Sequence, residues 1–192
     1  MKIIDDYEMH IKTAMMLWPT TSYQDNFLPG QLPGHINYYL LKRDKGRDTY
    51  ERVSHLTNIP WEIIGTLHGL EAQFDFAKQI FNGEQWSEKT TLVPKGKGPW
   101  ESWERSTVAA LRSSAYSPQN WGVVESAYFF ERWNGMGYFN RGLYSPYLWA
   151  YLSPYANQGG GKYVADGKFS ETAISKQVGA MTQLIMDGFF WV

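Results

Sequence analysis

Apolar residues recur every three to four positions near the start of the chain. Ile4, Tyr7, Ile11, Ala14 and Met15 form one stripe, which Trp18 would extend, and predict a helix over 3–17. The following stretch, with Pro19, Pro29-Gly30 and Pro33-Gly34, reads as a loop. Helical spacing returns near Ile36, breaks around Gly46 and resumes through Tyr50, Val53 and Leu56. Pro60 then opens a helix at a position where its missing N–H costs nothing, and that helix runs through Trp61, Ile64, Leu67, His68 and Glu71.

The pattern changes between 74 and 98. Phe74, Phe76, Ile80 and Phe81 precede Asn82-Gly83, a dipeptide suited to a tight hairpin turn. Thr90-Thr91-Leu92-Val93 reads as the returning strand, closed by Pro94 to Pro99. Helices are predicted again at Ser102–Arg112 and Gln119–Trp133. Segment 134–168, rich in Gly, Tyr and Pro, has little periodicity and reads as long loops, which are uncommon unless they carry function. A last helix is expected over about 170–187, with Ala173, Val178, Met181, Leu184 and Ile185 inward and the apolar end 188–192 docked on the core. The pattern is that of an α+β chain, mostly helical, with one small β-hairpin between helices.

Composition narrows the chemistry. The 192 residues suit one domain, at most two small ones, with a real core, and the absence of cysteine removes disulfides, thiolate metal sites and Cys nucleophiles together. With 18 Lys+Arg against 19 Asp+Glu, the chain lacks the positive surplus that nucleic-acid grooves or anionic membranes require. Asp5 and Asp6 fall where a secretory signal needs its apolar run, and no stretch approaches the ~18 apolar residues of a membrane span. The four His never form an H-x-x-x-H pair, and neither a P-loop nor a G-x-S-x-G elbow occurs. No metal and no cofactor is implied. Aromatic residues reach 17%, a composition suited to stacking on flat apolar ligand faces as well as to core packing.

Carboxyl groups are the best candidates for chemistry. Trp61, Ile64, His68 and Glu71 share one helix face, so Glu71 closes an apolar stripe where poor solvation raises a carboxyl pKa. A carboxylic acid kept protonated near neutrality is what glycoside cleavage needs at the leaving oxygen, whereas an exposed Glu71 would simply pair with Lys78 or Arg132. Asp75, one turn later, and Glu84, just past Asn82-Gly83, are candidates for a second carboxylate or for turn residues. Glu131 lies within Phe129-Phe130-Glu131-Arg132-Trp133, where a buried hydrogen bond is the first expectation and substrate contact the second. The stretch Trp133-Asn134-Gly135-Met136-Gly137-Tyr138, followed by Ser145-Pro146-Tyr147-Leu148-Trp149, mixes amides with aromatic plates, as sugar sites and tight cores both do.

The order of these pieces resembles the bacteriophage endolysin-like lysozyme family of peptidoglycan-cleaving proteins. The resemblance rests on Ile59-Pro60-Trp61, His68-Gly69-Leu70-Glu71, Phe74-Asp75-Phe76, Asn82-Gly83-Glu84 and Thr91-Leu92-Val93-Pro94-Lys95-Gly96. It continues through Gly98-Pro99-Trp100, Ser102-Trp103-Glu104, Trp133-Asn134-Gly135, Gly137-Tyr138, Ser145-Pro146-Tyr147-Leu148-Trp149 and Gly161-Lys162-Tyr163-Val164-Ala165-Asp166-Gly167. These cover roughly 58–180; residues 1–57 form a helical N-terminal part that matches less distinctly. Family members carry Tyr-Arg before the acid and Ser after it, where this chain has Gly69-Leu70 and Ala72.

The resemblance implies a single lysozyme-like domain over 1–192 that cuts the glycan strand of peptidoglycan, with Glu71 as general acid. The second group is Glu84, or Asp75, or a water positioned by Thr91 or Asn134. Tyr138 and Tyr147 would line sugar subsites, with Glu131 a further substrate contact. Hydrolysis gives a reducing-end N-acetylmuramic acid, transglycosylation a 1,6-anhydro end, and a non-catalytic glycan-binding or phage structural protein would release nothing. A monomer is expected, with no nucleic-acid partner and no membrane insertion, held in the host cytoplasm until release onto the wall.

Overall fold

The computed structural model describes residues 2–17, 32–114, 116–165 and 167–191, so Trp18, Pro19, Pro29-Gly30 and Asp166 lie outside the described residues. The chain divides into two compact units, residues 1–37 with 118–192 and residues 38–117. The described residues are mostly helical, with one two-stranded antiparallel sheet.

In the first unit, α1 (Lys2–Leu17) buries Tyr7, Ile11 and Ala14, the i, i+4, i+7 stripe its sequence predicts. It packs on α6 (Val123–Trp133), where the Tyr7 ring meets Tyr128 edge-on at 5.0 Å. α7 (Pro146–Trp149), α8 (Ser153–Asn157) and α9 (Ala180–Met186) complete the core with Leu148, Trp149, Met181 and Leu184. The second unit is built on α3 (Arg47–Thr57), α4 (Trp61–Ala72) and α5 (Trp103–Ser113), which enclose Tyr50, Val53, Leu67, Ile80 and Leu111. The division between units falls within α2 (Leu32–Lys45).

Several elements depart from the sequence pattern. Helix α2 starts at Leu32, so Pro33-Gly34 belongs to its first turn and not to a loop; proline fits there because the first helical N–H groups have no intrahelical partner. Helix α6 starts at Val123, not Gln119. Thr90–Val93 is not a strand: the Thr91 and Leu92 N–H groups are taken by the Glu84 carboxylate, leaving nothing for a ladder. Only a single bridge, Lys78 to Gln85, spans the Asn82-Gly83 turn.

The hairpin lies instead at 162–170, starting in the segment where loops were expected and ending where the last helix was expected to begin. β1 (Lys162–Ala165) pairs with β2 (Lys168–Ser170) in the register Lys162–Ser170 and Tyr163–Phe169, with Gly167 at φ 67° in the turn. The last helix is confined to Ala180–Met186, so Ala173 and Val178 precede it. Ser170 and Ser175 side chains accept from the Ala173 and Gln177 N–H groups, which competes with helix formation, and Gly179 packs against the Leu148 carbonyl with no room for a Cβ. At the apolar end Phe189 and Phe190 are half-buried, but Trp191 is 67% exposed and does not dock.

Candidate functional site

Helix α4 carries the candidate acid. Every residue from Ile63 to Leu70 is buried, so the helix is enclosed all round and not on one face only. Its glycines allow this: a Cβ on Gly65 would lie 2.6 Å from Arg43 Cγ, and one on Gly69 would meet the Phe74 ring. Gln73 and Phe74 then adopt φ of 54° and 62°, and the Gln73 N–H bonds back to the Gly69 and His68 carbonyls. Glu71 is half-buried in the last turn, where the enclosed helix emerges.

Below it lies a polar pair the sequence did not single out. The Tyr50 hydroxyl and His68 Nδ1 are 2.9 Å apart, and the Phe76 and Trp103 rings lie 4.7 Å from the imidazole. Burial drives the His68 pKa down to about 4 and pushes the Tyr50 phenol up, so both are neutral at pH 7. An unfolded histidine titrates near 6.5, so the unfolded chain takes up a proton first as pH falls. Between about 6.5 and about 4 the unit of residues 38–117 is therefore expected to lose up to ~1.4 kcal/mol per pH unit. Protection factors of α4 amides, corrected for the intrinsic pH dependence of exchange, should fall as pH drops through that window in the wild type and not in His68→Phe; equal pH profiles would remove His68 as the cause.

The Asn82–Glu84 turn rests on the end of α4. Gly83 has φ 75°, and a Cβ there would stand 3.0 Å from the Glu71 carbonyl oxygen. Glu84 accepts from Asn82 Nδ2 at 2.8 Å, Thr91 Oγ1 at 2.7 Å, Thr91 N at 3.0 Å and Leu92 N at 3.0 Å. Four donors fill the roughly four lone-pair directions of a carboxylate. The bonds from Thr91, with those from Leu92 and Asn82, hold the Glu84 pKa below its ordinary value although partial desolvation opposes them. Glu84 is thus a fixed negative charge with little capacity left to take a proton or attack carbon. Thr91 spends its hydroxyl on Glu84. Asp75 is exposed, accepts from the Ala77 N–H at 3.0 Å and faces Lys78 at 3.8 Å, as a turn residue does.

The remaining candidates belong to the other unit. Asn134, Tyr138 and Tyr147 line one cavity of about 690 Å³, joined there by Lys162, Tyr163 and Gln177. Ser145 organises one wall: its hydroxyl caps α7 by accepting from the Tyr147 N–H at 3.2 Å and meets Asn134 Nδ2 at 3.3 Å. The Tyr138 hydroxyl accepts from the Tyr163 N–H at 3.0 Å, and its ring stands edge-on to Tyr163 at 5.2 Å, tying the hairpin to the wall. Glu131 does not line this cavity. It is 3% exposed, Oε1 has no hydrogen-bond partner among the described residues, and burial pushes its pKa up to about 8, against a smaller opposite pull from the Phe139 N–H.

Among the described residues no group of three or more His, Asp or Glu is placed to hold a metal ion, and no helix is long and apolar enough to cross a membrane. No family model, curated protein or solved structure matches this chain.

Proposed function

We propose that the protein cleaves peptidoglycan glycan strands in the manner of a muramidase, with Glu71 as the general acid. The observation that carries this reading is the end of α4: a half-buried carboxyl with the turn of a fixed, ionised Glu84 seated against its backbone. Glycoside cleavage uses one carboxyl to give a proton and one to stay charged, and the donors around Glu84 suit it to the second role. Glu71 donates its proton to the glycosidic oxygen, the bond from that oxygen to C1 breaks, and positive charge develops on the sugar ring. Glu84 stabilises that charge through space. Within the unit of residues 1–37 and 118–192 taken by itself, the cavity of Asn134, Tyr138 and Tyr147 offers aromatic side chains and amides of the kind that bind N-acetylated sugars. Accumulation in a host cytoplasm before release onto the wall belongs to the same proposal.

A second reading is favoured by one feature. Because four donors already occupy Glu84, the group that takes the proton from the incoming hydroxyl is Glu71 itself, now a carboxylate. The hydroxyl is then either water or the 6-hydroxyl of the same sugar. Mass spectrometry of fragments from purified sacculi decides: a reducing-end N-acetylmuramic acid means hydrolysis, a 1,6-anhydro end means transglycosylation. No fragments from active, folded protein would overturn both and leave a glycan-binding role.

A further inference from the structure

The cavity that gathers Asn134, Tyr138 and Tyr147 has one charged side chain among the described residues that line it, Lys162. None of the ion pairs formed among the described residues involves it. Its backbone is fixed from two sides. Lys162 pairs with Ser170 across the hairpin, and the next residue, Tyr163, donates its N–H to the Tyr138 hydroxyl. The rings of Tyr138, Tyr163 and Phe169 pack edge-on to one another at 5.2–6.1 Å. Lys162 is therefore the cationic member of the described lining, on a strand whose backbone is held in place.

The chemistry of the lining then specifies the occupant. An ammonium has three donors and no acceptor, so it is best matched by an anionic oxygen. The amides of Asn134 and Gln177 suit neutral hydroxyl and acetamido groups, and the tyrosine rings suit sugar faces. The volume of about 690 Å³ admits more than one sugar ring. A neutral amino sugar leaves the ammonium unmatched, whereas a sugar bearing a carboxylate pairs with it. We infer that Lys162 is the residue by which this cavity selects a carboxylate-bearing N-acetylated sugar over a neutral one, an inference that rests on the glycan reading above. The carboxylate is either the lactyl group of N-acetylmuramic acid or one carried by the attached peptide.

Three soluble probes too short to be cleaved separate these sources: N-acetylglucosamine, N-acetylmuramic acid and muramoyl dipeptide, whose lactyl group is amidated and whose carboxylate lies on the peptide. Each is titrated into the full chain and followed by the amide resonances of Gly137 and Val164. The expected result is saturation at about tenfold lower concentration for one of the acidic probes than for N-acetylglucosamine. Lys162→Met should erase that difference and Lys162→Arg should keep most of it, with cross-strand contacts between Tyr163 and Phe169 retained as proof that the hairpin is intact. The stronger acidic probe identifies which carboxylate is read.

Equal affinity for acidic and neutral probes, a preference that survives Lys162→Met, or no binding by any probe overturns the inference. Sacculus cleavage is scored separately. Cleavage without preference removes the role of Lys162 alone, and preference without cleavage removes the enzymatic reading alone.

Discussion

Glu71→Gln is expected to lower release of glycan fragments by ~10²–10⁴-fold, the range over which a positioned acid–base group accelerates proton transfer. The substitution keeps the length and shape of the side chain and removes only the transferable proton. Because Glu71 sits in the last turn of α4 and not among the enclosed residues Ile63–Leu70, the helix should retain its packing. Binding of strands should therefore persist while turnover disappears, so the loss falls on kcat rather than KM. Lysis within tenfold of wild type would remove Glu71 from the chemistry. Glu84→Gln provides the contrast. It removes the fixed charge and also places an amide among four donors, so the 91–93 segment should loosen and kcat should fall as well. Hydrogen exchange at Thr91 and Leu92 separates those effects: faster exchange is expected in Glu84→Gln and unchanged exchange in Glu71→Gln.

How far the sequence foretold this arrangement depends on where each backbone donor goes. Stripes such as Tyr7-Ile11-Ala14, and stop–start signals such as Gly46, Pro60 and Ser102, were legible because helix periodicity and capping are local. Ser102 accepts from the Arg105 N–H as a capping serine should. The expected hairpin at 82–93 was not recoverable from pattern alone, since β-favouring residues at Thr91–Val93 meet a carboxylate that outcompetes a strand for their N–H groups. The real hairpin is only four and three residues long, and its Tyr163–Phe169 pair derives its support from Tyr138, some 25 positions earlier. Lys162 was visible only as part of a motif, because a lysine on a short strand reads as a solvated side chain until the cavity beside it is known. The His68–Tyr50 pair spans 18 positions and left no local trace.

Glu131 was recognisable as a carboxyl in the wrong company, and its surroundings predict the second large effect. The unfolded carboxyl titrates near 4.5 and the folded one near 8, so between those values the folded chain holds a proton that the unfolded chain has released. Its contribution is fully present below about 4.5 and is lost as pH rises toward about 8, at up to ~1.4 kcal/mol per unit. Above that value the carboxylate is charged in an enclosure where Oε1 finds no partner among the described residues, and the unit of residues 1–37 and 118–192 should be at its weakest. Glu131→Gln keeps the volume and cannot ionise, so urea titrations followed through α6 amides should lose the fall in stability between pH 6.5 and 8, above the range where the partly buried His10 titrates, and show a clear gain over wild type at pH 9. The α4 amides of the other unit supply an internal control, because the buried His68 gives them the opposite sign and a lower window. Parallel pH curves for wild type and Glu131→Gln at α6 would mean that Glu131 is ionised at little cost, through a hydrogen bond or water that reaches Oε1 in solution.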